Sequence, residues 1–245
     1  MKKITICHLY PDVLNLYGDR GNIIALKKRL EWRGIECEIK EANIGDSIDV
    51  DSTDIFFIGG GQDFEQEVLL KDLSLGKGKQ IIEAVESGKV FLAICAGYQI
   101  LGKYYRTHTG EICNFIGALD VYTIGQKQRM IGNYVYECEI GGQKTEIVGF
   151  ENHSGKTYLG QNVKPFGKVL SGNGNNGKDK TEGARYKNVF ATYAHGPVLP
   201  KNPKLCDELI KIALFNRYGD NALSKLDDTF ENNAHEYMTQ RLLNK

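Results

Sequence analysis

The chain has 245 residues, of which 41% are hydrophobic and 25% charged, enough to bury a full core as one large domain. Thirty-one basic residues balance thirty-one acidic ones, so no net field draws the protein to nucleic acid or an anionic membrane. No apolar stretch approaches the roughly 18 residues that span a bilayer, and the basic-then-apolar start ends at Pro11-Asp12 without a cleavage site. It reads as the first strand of a cytoplasmic protein. Six cysteines are scattered with no CxxC pair, which excludes a zinc knuckle or thioredoxin motif and leaves free thiols, most of them inert core residues.

In chain order, "KITICHLY" predicts a strand. A helix follows in which Ile23, Leu26 and Leu30 share an apolar face and Gly34 is the stop. "IECEIKEA" alternates as the next strand, and "TDIFFIGGG" is a buried strand feeding a tight turn at Gly59–Gly61. A charged helix is expected over part of 62–73, and a second from Lys79 to Ser87. The apolar run "KVFLAI" then leads straight into Cys95. Strands alternating with helices predict a doubly wound, mostly parallel α/β sheet, which binds ligands beyond the carboxyl ends of its strands. Both the glycine turn and Cys95 fall at such ends.

Further on, two alternating runs around Gly141-Gly142 predict a β-hairpin. The polar, glycine-rich stretch 171–188 reads as an exposed loop. "VFATYAHG" is a strand ending at His195, and two helical stretches over 202–219 and 227–243 complete a single domain, 1–245. Within the polar stretch, "GNGNNGK" (172–178) has P-loop spacing. Asp179 stands where Ser or Thr must hold magnesium, and no helix pattern follows, so ATP binding there is rejected.

Ala93-x-Cys95-x-Gly97 has the small-residue spacing of a nucleophile elbow, a strained strand-to-helix turn that aims a helix N-terminus at the side chain. The plain alternative is a buried cysteine in a strand-helix connection. A nucleophilic thiol needs a base, and His195 should emerge on the same sheet rim; His153, in "GFENHSG", is the competitor. An oxyanion hole could come from the backbone N–H groups of Gly60, Gly61 and Ala96. A lone strand-end histidine is more often structural, and only the pairing with the elbow singles out His195.

Taken together, "CAGYQ", "ATYAHGP", "GFENHSGKT", "LNLYGDRGNIIALKKR", "DIFFIGGG" and "HGPVLPKN" resemble the class I glutamine amidotransferases of the CobB/CobQ-like branch, and within it the GatD family, the glutaminase subunits of lipid II isoglutaminyl synthase. The resemblance spans Leu14 to Asn202. It implies a flavodoxin-like fold with an added antiparallel hairpin, with Cys95 as nucleophile and His195 as general base. Arg129, Gln99 and His153 would bind substrate. It further implies hydrolysis of glutamine to glutamate and ammonia, with no cofactor or metal in this chain. ATP and magnesium would belong to a Mur-ligase-like partner subunit, MurT, that amidates the D-glutamate of lipid II in peptidoglycan synthesis, at the inner membrane face. Two departures from the wider class stand out: Ala93 where glycine is common, and Gly196-Pro197 where the acid of a triad follows the histidine. The second implies a Cys–His dyad or an acid from elsewhere. A cobyrinate-type synthase subunit, a stand-alone peptidase or deglycase, and a silent binding module remain open alternatives.

Overall fold

Strands rich in Ile, Val, Phe and Leu need both faces covered, and the chain meets that need with a parallel sheet inside helical layers. The computed structural model describes residues 2–61 and 69–244. Strands β1 (Lys3–Leu9), β2 (Glu36–Ala42), β3 (Ile55–Ile58) and β4 (Val90–Ile94) belong to this first sheet. A second sheet contains β5 (Tyr104–Arg106), β6 (Ile112–Asn114), β7 (Val121–Ile140), β8 (Gln143–Leu159), β9 (Gly167–Ser171) and β10 (Thr181–Glu182). The chain then returns to the first sheet with β11 (Ala184–Tyr186) and β12 (Val189–Thr192), giving the order β11-β12-β4-β3-β1-β2. All neighbours in it are parallel except the β11–β12 pair. Every residue of β3, β4 and β12 is buried, as the unbroken apolar runs of β3 and β4 require; β12 is apolar up to Thr192.

Helix α1 (Arg20–Glu31) buries Ile23, Leu26 and Leu30, the face read from their spacing, and the chain turns at Gly34 with φ 67°. Helix α2 (Gly78–Glu86) matches the second expected helix. The expected helix before it falls largely on residues 62–68, outside the described residues. Helices α3 (Ala96–Leu101), α4 (Val198–Lys201), α5 (Pro203–Tyr218) and α6 (Thr229–Leu243) complete the chain. Arg29, almost fully buried, ties three helical segments together by reaching Asp207 (2.6 Å) in α5 and Asp228 (2.6 Å) just ahead of α6.

Topology puts the site in one place. The chain leaves β1 toward β2 on one side and later toward β3 on the other, so the β1/β3 boundary is a topological switch point. The connections leaving β1, β3, β4 and β12, four adjacent strands, carry Asp19, Gly59–Gly61, Cys95 and His195.

The second sheet departs from expectation in scale. The Gly141-Gly142 turn is there, both residues at positive φ (57° and 76°) as a two-residue hairpin turn requires. It is the tip of strands 20 and 17 residues long. Their pairing slips between Gly125 and Met130, so the alternation near the turn does not continue in phase toward the site. The stretch expected to be an exposed loop is exposed only in part: residues 177–180 lie at the surface, whereas Asn175, Asn176 and Glu182 are buried. The two buried asparagine side chains are hydrogen-bonded within the fold, which is why their burial is tolerated. Asn175 Nδ2 donates to Thr181 Oγ1 (3.0 Å) and Gly183 O (2.9 Å), and Asn176 Nδ2 donates to Thr157 O (3.1 Å). Glu151 accepts from the Asn173 and Gly174 N–H groups (2.8 and 2.9 Å).

Candidate active site

β4 delivers Cys95 into a turn with φ 49° and ψ −102°. A non-glycine residue held there costs about 1–3 kcal/mol and persists only where its surroundings over-determine it. They do so here: Cys95 N–H donates to Thr192 O (2.9 Å), and Gln99 N–H donates to Cys95 O (2.9 Å). Gly97 permits the close approach beneath the turn. A Cβ at that position would lie 2.7 Å from Ile58 O and 2.9 Å from Gly59 O. Ala96 opens α3, so its N–H is one of the first-turn donors without an intrahelical acceptor, beside the sulfur. Cys95 is 5% exposed.

His195 lies three residues beyond β12 and is fully buried. Its backbone is paired with Phe150 of β8 in both directions, His195 N–H to Phe150 O at 2.8 Å and Phe150 N–H to His195 O at 3.2 Å. This bridge places the histidine between the two sheets. Nδ1 faces Asp19 Oδ2 at 3.2 Å, and Asp19 is itself fully buried. Nε2 makes no hydrogen bond of ordinary geometry among the described residues; its neighbour is the Cys95 thiol. Burial disfavours the imidazolium, but the charge of a Cys95 thiolate and the hydrogen bond to Asp19 outweigh it, raising the His195 pKa to about 10. The imidazole is therefore held in its protonated form beside the Cys95 sulfur.

The glycine turn has a different job from the one expected of Gly60. Its N–H donates to Asp19 Oδ2 (2.8 Å) and is thereby committed, so the oxyanion role read for Gly60 does not fit this arrangement; of the three donors expected, Ala96 and Gly61 remain. Gly61 is the last described residue before 62–68. What Gly60 supplies is room: a Cβ there would come within 2.4 Å of His195 Cε1 and 3.0 Å of Asp19 Oδ2.

Of the substrate-binding candidates, Arg129 is exposed and lies in the bulge of β7. Its guanidinium is held by Asn152, with Nε donating to Oδ1 (2.7 Å) and Nη2 to the carbonyl (3.0 Å). Asn152 Nδ2 donates in turn to the Tyr17 hydroxyl, and the Tyr17 ring stands edge-on to His195 with centroids 5.0 Å apart. Arg129 is thus connected to the histidine through two intermediaries. Gln99 and His153 instead belong to a buried layer around Tyr193. Gln99 Nε2 donates to the Tyr193 hydroxyl (3.0 Å), and His153 stacks on the Tyr193 ring at 3.6 Å with Nδ1 at 2.8 Å from Gly155 O.

Sequence reading missed Asp19, Tyr17 and Asn152. The available signal was positional: Asp19 lies between a parallel strand and its helix, on the rim that carries the glycine turn.

A cysteine on a strand-to-helix elbow, paired with a histidine from the adjacent strand, defines a recognised class of α/β proteins. The chain belongs to the family of CobB/CobQ-like glutamine amidotransferase domains, whose model matches residues 5–203. It is 46% identical over 213 residues to the Staphylococcus aureus lipid II isoglutaminyl synthase (glutamine-hydrolyzing) subunit GatD, covering 87% of this chain and 85% of that protein. The Streptococcus pneumoniae subunit of the same name is 40% identical over 218 residues, covering 89% and 83%. A solved glutamine amidotransferase from Thermotoga maritima superposes with a TM-score of 0.54 at 15% identity, covering 99% of each chain, and shares the fold.

Proposed function

We propose that the protein is the glutaminase subunit of a lipid II isoglutaminyl synthase, with Cys95 as nucleophile and His195 as general acid and base. The observation that carries this is the strained elbow presenting Cys95 to a buried, proton-holding imidazole. The similarity to two subunits with that printed name supports the choice of substrate and assembly.

In this reading the Cys95 thiolate attacks the side-chain amide carbon of glutamine, and the carbonyl π-pair moves onto oxygen. The Ala96 N–H, with that of Gly61, stabilises the oxyanion. His195 Nε2–H passes its proton to the amide nitrogen as the C–N bond breaks, releasing ammonia and leaving a γ-glutamyl thioester. Neutral His195 then takes a proton from water, whose oxygen attacks the thioester. Collapse expels thiolate, releases glutamate and restores the imidazolium. Arg129 would grip the α-carboxylate of glutamine with paired N–H donors, and Gln99 and His153 would shape the wall through Tyr193. The ammonia would pass to a Mur-ligase-like subunit, MurT, which would hold ATP and magnesium and amidate the D-glutamate of lipid II at the inner membrane face. Among the described residues no helix is long and apolar enough to cross a membrane.

The test is ammonia release from glutamine by the chain co-purified with its ligase partner. Cys95→Ser should lower kcat by at least about 10³-fold. Wild-type turnover in that variant would sink the assignment.

A further inference from the structure

The wider class places its acid just after the histidine, where this chain has Gly196-Pro197. We infer that Asp19 supplies that function from the other end of the chain, as the residue that positions His195 and favours its protonated form. This deepens the glutaminase reading and rests on it for the identity of the reaction.

Three consecutive features of the 19–22 segment engage three consecutive features of the 195–199 segment. Asp19 Oδ2 meets His195 Nδ1 at 3.2 Å. Gly21 packs so closely on Pro197 that a Cβ would stand 2.4 Å from Pro197 Cγ. Asn22 Oδ1 accepts the Leu199 N–H at 2.9 Å. The start of α1 is thus a matched cradle for the histidine loop, and the Asp19–His195 contact is one of its built parts.

Asp19 precedes α1 in the position where an aspartate ordinarily caps its helix. Its side chain makes no capping hydrogen bond; Asn15 Oδ1 accepts the Arg20 N–H (2.9 Å) instead. That leaves the carboxyl turned to the site. The loop that carries it is set by Tyr17 and Gly18, both at positive φ (56° and 76°), and by Leu16 N–H donating to Gly60 O (3.0 Å). Gly60 returns its own N–H to Asp19 Oδ2 (2.8 Å), fixing the oxygen that faces the imidazole. With Nδ1 committed to Asp19, the neutral histidine carries its proton on Nδ1 and leaves Nε2 free to take one from water. The charged histidine presents Nε2–H to the departing ammonia. Asp19 thereby selects the tautomer that the two halves of the reaction require. Among the described residues, the other groups facing His195 are the Cys95 thiol and the Tyr17 ring, and Lys201, whose own pKa is lowered by burial, is a further charge near Asp19.

The decisive experiment uses the complex with the ligase subunit and the Asp19→Asn variant, which keeps an oxygen for the Gly60 N–H. Glutamine turnover should fall about 10²- to 10⁴-fold in kcat with little change in KM. Alkylation of Cys95 by iodoacetamide, followed by mass spectrometry of its peptide, should show an acid limb moved about one to two pH units upward, because the imidazolium beside the sulfur is less stabilised. An unchanged alkylation profile overturns the proposal whatever happens to turnover, since loss of activity alone would be a structural effect. A second measurement needs no variant at Asp19: in the unmutated chain, NMR should find a slowly exchanging proton on His195 Nδ1 in the neutral ring. Finding the proton on Nε2 instead overturns the proposal. If wild-type complex fails to turn over glutamine while both signatures are present, the glutaminase reading falls and the role of Asp19 stands.

Discussion

Cys95 and His195 reach the same site by different constructions. The cysteine is positioned largely by the run Ile94 to Gly97, with its backbone N–H bonded to the neighbouring strand at Thr192 and its glycine packed beneath β3. The histidine is held by residues scattered over most of the sequence: Asp19 at its Nδ1, Gly60 beside its ring, Phe150 on its backbone and Asn22 on the loop that follows. A local elbow fixes where the proposed nucleophile is, and a long-range cradle fixes how the proposed base is turned. Disturbing the first should damage fold and chemistry together, whereas disturbing the second should damage chemistry with less loss of stability.

Two glycines separate these cases most sharply. Gly60→Ala would drive a methyl against His195 Cε1, at 2.4 Å before relaxation, and a ring can swing away where a backbone cannot. The expected result is a fall in kcat/KM of about 10²- to 10³-fold, as misplacing a reacting group by about 1 Å commonly costs, with a melting temperature close to wild type. Gly97→Ala meets the backbone oxygens of Ile58 and Gly59 at 2.7 and 2.9 Å. It should lose about 1–3 kcal/mol of stability as well as activity. Calorimetry and ammonia release on both variants test the contrast. Equal destabilisation by the two would break it.

The same contrast explains what was legible beforehand. The parallel strands, α1 with its Ile23, Leu26 and Leu30 face, and the elbow are written in short contiguous patterns, and all three stand in the structure as read. The base side is written across gaps. Apart from its place on the rim of the glycine turn, no local pattern separates Asp19 from a helix-capping aspartate, because its partner is 176 residues away. Within the segment from Gly172 to Gly183, the buried residues Asn175, Asn176 and Glu182 misled for a related reason. Asn, Gly and Thr signal exposure only when water must satisfy them, and here Glu151, Thr157 and one another do so. The Gly60 N–H, read as an oxyanion donor, is bonded to Asp19 for a like reason, since a glycine turn advertises free N–H groups without naming their acceptors.

Glu182 belongs to the base side and gives its stability a pH signature. Its Oε1 accepts the Thr192 hydroxyl (2.6 Å) and the Tyr193 N–H (2.9 Å), tethering the strand that leads to His195. Burial raises its pKa from 4.5 to about 7, against hydrogen bonds that lower it. Below about pH 4.5 the carboxyl is protonated in both folded and unfolded chains. Between about 4.5 and 7 only the unfolded chain releases the proton, so this group makes stability fall as pH rises; above 7 the full cost of a buried charge remains. Glu182→Gln keeps an oxygen for both donors and removes the charge. Denaturation should show it gaining about 2–3 kcal/mol on wild type between pH 5 and pH 8. A difference that does not vary with pH would mean that Glu182 acts through packing alone.

The smallest effect is expected where the cradle meets the proposed substrate. Arg129 is exposed, yet Asn152 holds it by two hydrogen bonds and in turn donates to Tyr17 over the His195 ring. An exposed arginine side chain otherwise samples many rotamers, and ordering it on binding costs free energy that a prearranged fork avoids. Asn152→Ala removes the Oδ1 acceptor and the link to Tyr17 but leaves the backbone carbonyl to which Nη2 donates. Losing one charge-assisted hydrogen bond of about 1.5 kcal/mol should raise KM for glutamine about tenfold. Because Asp19 still orients His195, kcat should change less than threefold or so. Steady-state kinetics of the complex reads the split directly. A fall in kcat as large as the rise in KM would show that Tyr17 and Asn152 steady the base itself, extending the cradle to the far side of the imidazole and narrowing the role of Arg129.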